Sequence, residues 1–261
     1  RGLGDVYKRQ SYYRSSEVEA VIHKALNYWF TAKPVCLNWW YNQIGIPKTL
    51  GTVFILFEKQ LTPVEKQNAI TVMENAKFGM TGQNKVWLAG NVMMRALLQN
   101  DYELVKMARD TIASEIVTGG TEGIKDDWCF HQHGAQQQFG NYGLSFVSGM
   151  SFFSGLFSGT SLAFDDKQLS ILSTLIDKGY RWVIWKGMMD VNALGRQLFH
   201  HAPVHKALSL AFAASELGGG ESDECMAVAT ALLRDNYPAP AVNVLTGHKH
   251  FWQSDYTIHR R

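Results

Sequence analysis

Between residues 126 and 143 the chain reads Asp126-Asp127-Trp128-Cys129-Phe130-His131-Gln132-His133-Gly134, then Ala135 and three glutamines, then Phe139-Gly140-Asn141-Tyr142-Gly143. Imidazoles, carboxylates, amides and a phenol crowd between two apolar stretches, and such polar loops on a rigid scaffold commonly carry chemistry. One use of the histidines is metal binding, since His131-x-His133 and His201-x3-His205 could each offer two ligands. Pro203 interrupts the second pair, and no glutamate lies between its histidines as in a zinc-protease helix, so no metal is expected. The preceding Thr118-Gly119-Gly120-Thr121-Glu122-Gly123 is glycine-rich, but no Gly-Lys-Ser/Thr follows. It is no phosphate-binding P-loop.

The bulk composition narrows the field. With 46% hydrophobic and 18% charged residues over 261 positions, the chain is globular and long enough for a sizeable core. Lys and Arg number 25 against 23 Asp and Glu, a balance that calls for neither nucleic acid nor a membrane surface. Cys36, Cys129 and Cys225 are odd in number and far apart, so no disulfide framework or CxxC zinc site is expected. Eight tryptophans suit either a large core or a carbohydrate cleft, where flat rings pack on sugar faces.

Helical periodicity dominates the elements that must hold these groups. Val18, Val21, Ile22, Leu26 and Trp29 recur at three- and four-residue steps, which predicts one buried helical face. Thr62-Pro63-Val64-Glu65 reads as an N-cap, a proline at the first helical position and a capping-box glutamate. The helix after it is expected to bury Val64, Ala69, Ile70, Val72 and Met73, and to end near Phe78-Gly79. Further helices are expected near 47–59, 84–98, 101–117, 142–157, 167–181, 203–216 and 222–234, with Phe152, Phe153 and Phe157 in the core. Residues 180–185 fit a short strand or a buried helix end equally well. Antiparallel helical hairpins then make a bundle, a solenoid or a closed toroid.

Four motifs carry a resemblance. They are Asn38-Trp39-Trp40 with Ile44-Gly45-Ile46-Pro47; Thr81-Gly82-Gln83-Asn84-Lys85-Val86-Trp87; Gln132-His133-Gly134 with Asn141-Tyr142-Gly143; and Gly195-Arg196. In this order the chain resembles polysaccharide lyase family 8, which includes chondroitin AC, hyaluronate and xanthan lyases. The resemblance implies an all-α fold, an incomplete α/α toroid over 11–253. Residues 1–10 read as a non-native or disordered leader, and 254–261 as the start of a linker to a β-sandwich region absent from this chain.

The resemblance further implies β-elimination on a uronic-acid polysaccharide, with no cofactor. Asn84 and His133 would neutralise the uronate carboxylate, Tyr142 would act as base and then acid, and Arg196 would supply the fixed positive charge that favours the phenolate. Trp39, Trp40, Trp87, Asn38, Gln83 and His200 would bind sugar. Trp39 and Trp40 point to different sides of any regular element, so one of them at most stacks on sugar fully. The partners implied are an anionic polysaccharide and the C-terminal β-sandwich, with secretion or a periplasmic location. Two positions depart from the pattern: His200 stands where a second arginine is usual, and Leu194 where an arginine is common. The family's catalytic glutamate has no counterpart in this chain.

Bland readings stand beside these. Asn84 could be an N-cap of the helix after it, Arg196 could pair with Asp190, and Trp87 could be core. Asp126, Asp127 and Asp190 could supply the two carboxylates of a glycoside hydrolase, and a helical glycan-binding module without turnover is the other alternative.

Overall fold

The computed structural model describes residue 12, residues 14–217 and residues 245–261. The leader at 1–10, the helix expected at 222–234 and Cys225 lie outside the described residues. The main helices of the described residues are α1 (Ser16–Ala32), α2 (Ile46–Leu56), α3 (Pro63–Met73), α4 (Gly82–Gln99), α5 (Tyr102–Ala113), α6 (Leu144–Phe157), α7 (Asp166–Thr174) and α8 (Ala202–Leu217). Three short antiparallel ladders join them: β1 (Gly123–Ile124) with β2 (Phe130–His131), β3 (Ile184–Trp185) with β4 (Met188–Met189), and β5 (Gly247–Phe251) with β6 (Tyr256–Arg260). Among the described residues no helix is long and apolar enough to cross a membrane. The chain divides into two compact units, one of residues 1–78 and 87–108, the other of 79–86 and 109–261.

The first unit is built around Leu26 and Phe30 of α1, Phe54 of α2, Ala69 and Met73 of α3 and Leu98 of α4. Phe30 stacks on Phe54 with centroids 6.0 Å apart. The expected face of α1 is displaced: Leu26 and Phe30 are buried, whereas Val18 and Val21 are exposed, Val21 by 64%. The capping box at Thr62 forms as read, with reciprocal bonds between Thr62 and Glu65. Val64 is exposed and Glu65 buried in its place. The Glu65 carboxylate accepts from Asn27 Nδ2 at 3.1 Å and lies 2.8 Å from His23 Nδ1. The helix stops at Met73, ahead of the expected Phe78-Gly79 turn.

The second unit holds the polar loop. Phe130 of β2 packs on Phe146 of α6 at 5.0 Å, and Phe139 lies edge-on to both Tyr180 and Phe251, at 5.2 and 5.1 Å. Two of the expected helices are interrupted by a wider, π-helical winding. Phe139–Gly143 is a π-turn that leads into α6, and Leu175–Tyr180 is another that follows α7. Residues 180–185 are helix end and strand in succession: Arg181–Val183 completes the winding and Ile184–Trp185 is β3. Phe157 is buried, but Phe152, expected in the core, is 63% exposed. The expected domain boundary at 253/254 falls within the turn between β5 and β6.

Glu65 gives the first unit a measurable dependence on acid. Burial pushes its carboxyl up, while the hydrogen bonds from Thr62 and His23 outweigh this and hold it below the ordinary carboxylate range. A depressed folded value stabilises fully above the unfolded pKa, about 4.3, and the benefit is lost as pH falls through the folded value. Urea unfolding should therefore show stability declining below about pH 4.3, with a flatter decline in Glu65→Gln. At neutral pH, Glu65→Ala should cost about 1–2 kcal/mol, because it removes half of the capping box and the shared acceptor of His23 and Asn27.

Candidate active site

Tyr142 sits on the π-turn at the head of α6, only 7% exposed. Two glycines make that turn possible. A Cβ on Gly140 would lie 2.6 Å from the Ala193 carbonyl oxygen and 2.9 Å from Leu194 Cα, and one on Gly143 would lie 2.6 Å from the Tyr180 hydroxyl. The Tyr180 hydroxyl in turn donates to the Phe139 carbonyl at 3.0 Å. The turn thus lies directly against the backbone that leads to Arg196.

His133 comes from the far end of the same loop, just after β2. Its ring meets that of Tyr142 edge to face, with centroids 4.9 Å apart and planes at 86°. His133 has φ of 63°, the left-handed region that side chains with a Cβ seldom adopt. Its N–H donates to Glu122 Oε1 at 2.7 Å. His131, by contrast, points elsewhere: its Nε2 lies 2.7 Å from Ser254 Oγ. Among the described residues no three His, Cys, Asp or Glu side chains are grouped as a metal site.

Asn84 lies in the first turn of α4, 4% exposed, and its Oδ1 has no hydrogen-bond partner. The helix begins at Gly82, so Asn84 is inside it and the N-cap reading is corrected. The start of α4 is tied to the histidine loop, because the Gln83 N–H donates to Gln132 Oε1 at 2.9 Å and the Gly82 N–H donates to Glu115 Oε2 at 2.7 Å. The Gln83 side chain is fully buried, with neither of its polar atoms paired. Lys85, next to Asn84, pairs with Glu115 at 2.9 Å.

Arg196 is exposed, as is His200. Asp190 does not hold Arg196; it caps the short turn after β4 by accepting from the Asn192 N–H at 2.7 Å. What places Arg196 is the backbone on either side. Gly195, with φ of 62°, lies against Asn141 and Gln138, and Gln197 accepts a hydrogen bond from the Lys206 ammonium. That same ammonium donates to the Gly140 carbonyl. Gln137 donates to the Asn192 carbonyl at 2.6 Å, adding a third tie between the two segments. Asn84, His133, Tyr142 and Arg196 therefore belong to one unit, and their carrying segments are cross-tied.

The tryptophans belong to the other unit. Trp40 and Trp87 meet edge to face at 5.6 Å, and the Lys48 ammonium lies 5.3 Å from the Trp87 centroid. Trp39 is 43% exposed and Trp40 half-buried, and Asn38 is exposed beside them.

Three residues that position the site were missed in the sequence: Lys206, Glu122 and Glu115. Lys206 carried a readable signal, a lysine among Ala202, Ala207 and Leu210 on the apolar face of α8. The two glutamates carried none, since their partners are remote in sequence. Two of the three carboxylates offered for hydrolysis, Asp127 and Asp190, are otherwise engaged, and Asp126 is exposed. Asp127 is buried and accepts from the N–H groups of Cys129 at 3.0 Å and Gln253 at 2.8 Å. Nor is Cys129 a nucleophile, because burial pushes its thiol up to about 12.

Comparison with known proteins identifies the family. The family described as polysaccharide lyase family 8, N terminal alpha-helical domain, matches residues 5–216. The chain belongs to polysaccharide lyase family 8. It is 29% identical to the chondroitinase-AC of Pedobacter heparinus over 264 residues, covering 98% of this chain and 37% of that protein. The xanthan lyase of a Bacillus species is 28% identical over 167 residues, covering 62% of this chain and 18% of that protein. A chondroitinase AC lyase solved as enzyme–oligosaccharide complexes superposes with a TM-score of 0.81 at 27% identity, over 96% of this chain and 38% of that one. The chondroitin AC lyase of Streptomyces coelicolor A3 shares the fold, with a TM-score of 0.78 at 20% identity over 93% of this chain and 40% of that one. The chain thus spans well under half the length of these family 8 relatives.

The contact at Gly140 gives a direct check on how the turn that carries Tyr142 is assembled. Gly140→Ala forces a methyl into the Ala193 carbonyl and should destabilise the chain by about 1–3 kcal/mol in urea unfolding. Gly149 of α6 has nothing within 4 Å of its absent Cβ. Gly149→Ala should instead be neutral or stabilising by about 0.5–1 kcal/mol.

Proposed function

We propose that the protein carrying this chain cleaves a uronate-containing polysaccharide, of the chondroitin or hyaluronan kind, by β-elimination. The observation that carries the reading is the edge-to-face packing of His133 and Tyr142 at 4.9 Å, in the unit that also holds Asn84 and Arg196. The names of the relatives, chondroitinase-AC and hyaluronate lyase among them, support the substrate class.

The chemistry has one obstacle. The proton to be removed is on C5, beside a carboxylate whose charge opposes further negative charge on that carbon. Asn84 and His133 address it by hydrogen bonding to the carboxylate, which stabilises the enolate-like intermediate. An amide can be reversed end for end, so the buried end of Asn84 that lacks a partner serves equally as a place for the NH2 group. Tyr142 as phenolate takes the C5 proton, and a phenol with an ordinary pKa near 10 needs a cation nearby to do so at neutral pH. Arg196 supplies a charge that does not titrate. The electron pair of the C5–H bond becomes the C4–C5 double bond and the C4–O bond breaks. Tyr142 then returns the proton to the leaving oxygen.

Binding is assigned to Asn38, Trp39, Trp40 and Trp87 in their own unit and to Gln83 and His200. Trp39, the more exposed of the adjacent pair, offers the better sugar platform. The helical region is proposed to act with a C-terminal β-sandwich that completes the catalytic set, in an exported protein. The span of 37% of the chondroitinase-AC relative supports the longer chain.

The test is the appearance of an ultraviolet-absorbing unsaturated uronate when a chain extended through that region meets chondroitin or hyaluronan. Tyr142→Phe should lower kcat by about 100–10,000-fold, since it deletes the group that takes the C5 proton and returns it to the leaving oxygen. Asp126→Asn, on an exposed carboxylate, should retain activity. Hydrolysis without the unsaturated product, or glycan binding without turnover, would replace the lyase reading.

A further inference from the structure

Glu122 lies one residue before β1, and the β1–β2 ladder pairs Gly123 with His131. Its carboxylate is therefore brought opposite the residues that follow β2. One oxygen accepts from the His133 N–H at 2.7 Å; the other accepts from the Gln132 side-chain amide and the Thr81 hydroxyl. Three donors from two distant segments converge on a single side chain. Gln132 also accepts from the Gln83 N–H at 2.9 Å, one residue ahead of Asn84.

His133 needs such support. A residue with a Cβ held in the left-handed region costs about 1–2 kcal/mol and persists only where its surroundings fix it. Glu122 holds the N–H of that residue directly, and reaches the first turn of α4 through Gln132 and Thr81. We propose that Glu122 is a positioning residue for the elimination, setting His133 and Asn84 as one carboxylate-binding pair without touching substrate. This rests on the lyase reading above. The carboxylate is matched to the task because it is an acceptor at both ends, with donors on both sides. A glutamine of the same size presents an acceptor to one side only and turns an NH2 group against a donor on the other.

The experiment compares wild type, Glu122→Gln and Glu122→Asp in the chain extended through the sandwich region. Chondroitin and hyaluronan turnover is followed alongside hydrogen exchange of the peptide containing His133. In Glu122→Gln, kcat should fall about 10–100-fold, as misplacement of a catalytic group by an ångström would cause, with KM within about threefold. Exchange at the His133 peptide should quicken, while peptides of α6 and α8 keep their protection. Glu122→Asp, which retains both acceptors on a shorter arm, should recover part of the rate, and it replaces Glu122→Gln should that variant fail to fold. Unchanged kcat, with or without faster exchange, overturns the positioning role. A wild type that yields no unsaturated product from either polymer overturns the lyase reading instead, which separates the two failures.

Discussion

An ammonium withdrawn from water stays charged only where acceptors replace its hydration, and Lys206 is in that position. Burial lowers its pKa from the ordinary lysine value, yet its donors reach the Gly140 carbonyl and the Gln197 side chain. One of these belongs to the turn that presents Tyr142, the other follows Arg196 directly. Removing one partner from a buried charge is far more costly than a surface contact would suggest. The closeness of the two segments is thus tied to the solvation of one lysine. Gly140 is required by the same closeness, because only a residue without Cβ lets the Ala193 carbonyl come so near.

The rest of the site is a set of groups whose backbone, more than their side chains, is held. Glu122 and Glu115 accept from main-chain N–H groups at His133 and Gly82, and Gln132 accepts from that of Gln83. Of the candidate residues, His133 and Arg196 are exposed, whereas Asn84 and Tyr142 are buried.

Legibility in the sequence followed the range of each interaction. The capping box at Thr62 was readable because all its atoms lie within four residues. The motif residues were readable because their order and spacing survive in the sequence. Burial within a helix was read less well: Val18, Val21 and Val64 are apolar but exposed, and Glu65 is buried because His23 and Asn27 of another helix meet it. The π-turn at 139–143 left no periodic trace, since close packing of Gly140 and Gly143 against remote backbone sets it. The β5–β6 hairpin was missed because β5 is polar and histidine-rich, and the alternation of Tyr256 and Ile258 in β6 spans too few residues to stand out. Asn84 was legible as a motif member and ambiguous as a helix position, an ambiguity that the start of α4 at Gly82 removed.

His133 sets backbone comfort and chemistry against each other. Its φ of 63° is a conformation that glycine and asparagine adopt far more readily than histidine. Neither replacement carries an imidazole. A laboratory selection for thermal stability alone would therefore drift toward Gly or Asn at this position and return a sturdier protein without the imidazole that the proposed elimination uses. Selection on turnover would hold the histidine in place, so the two screens should diverge here first.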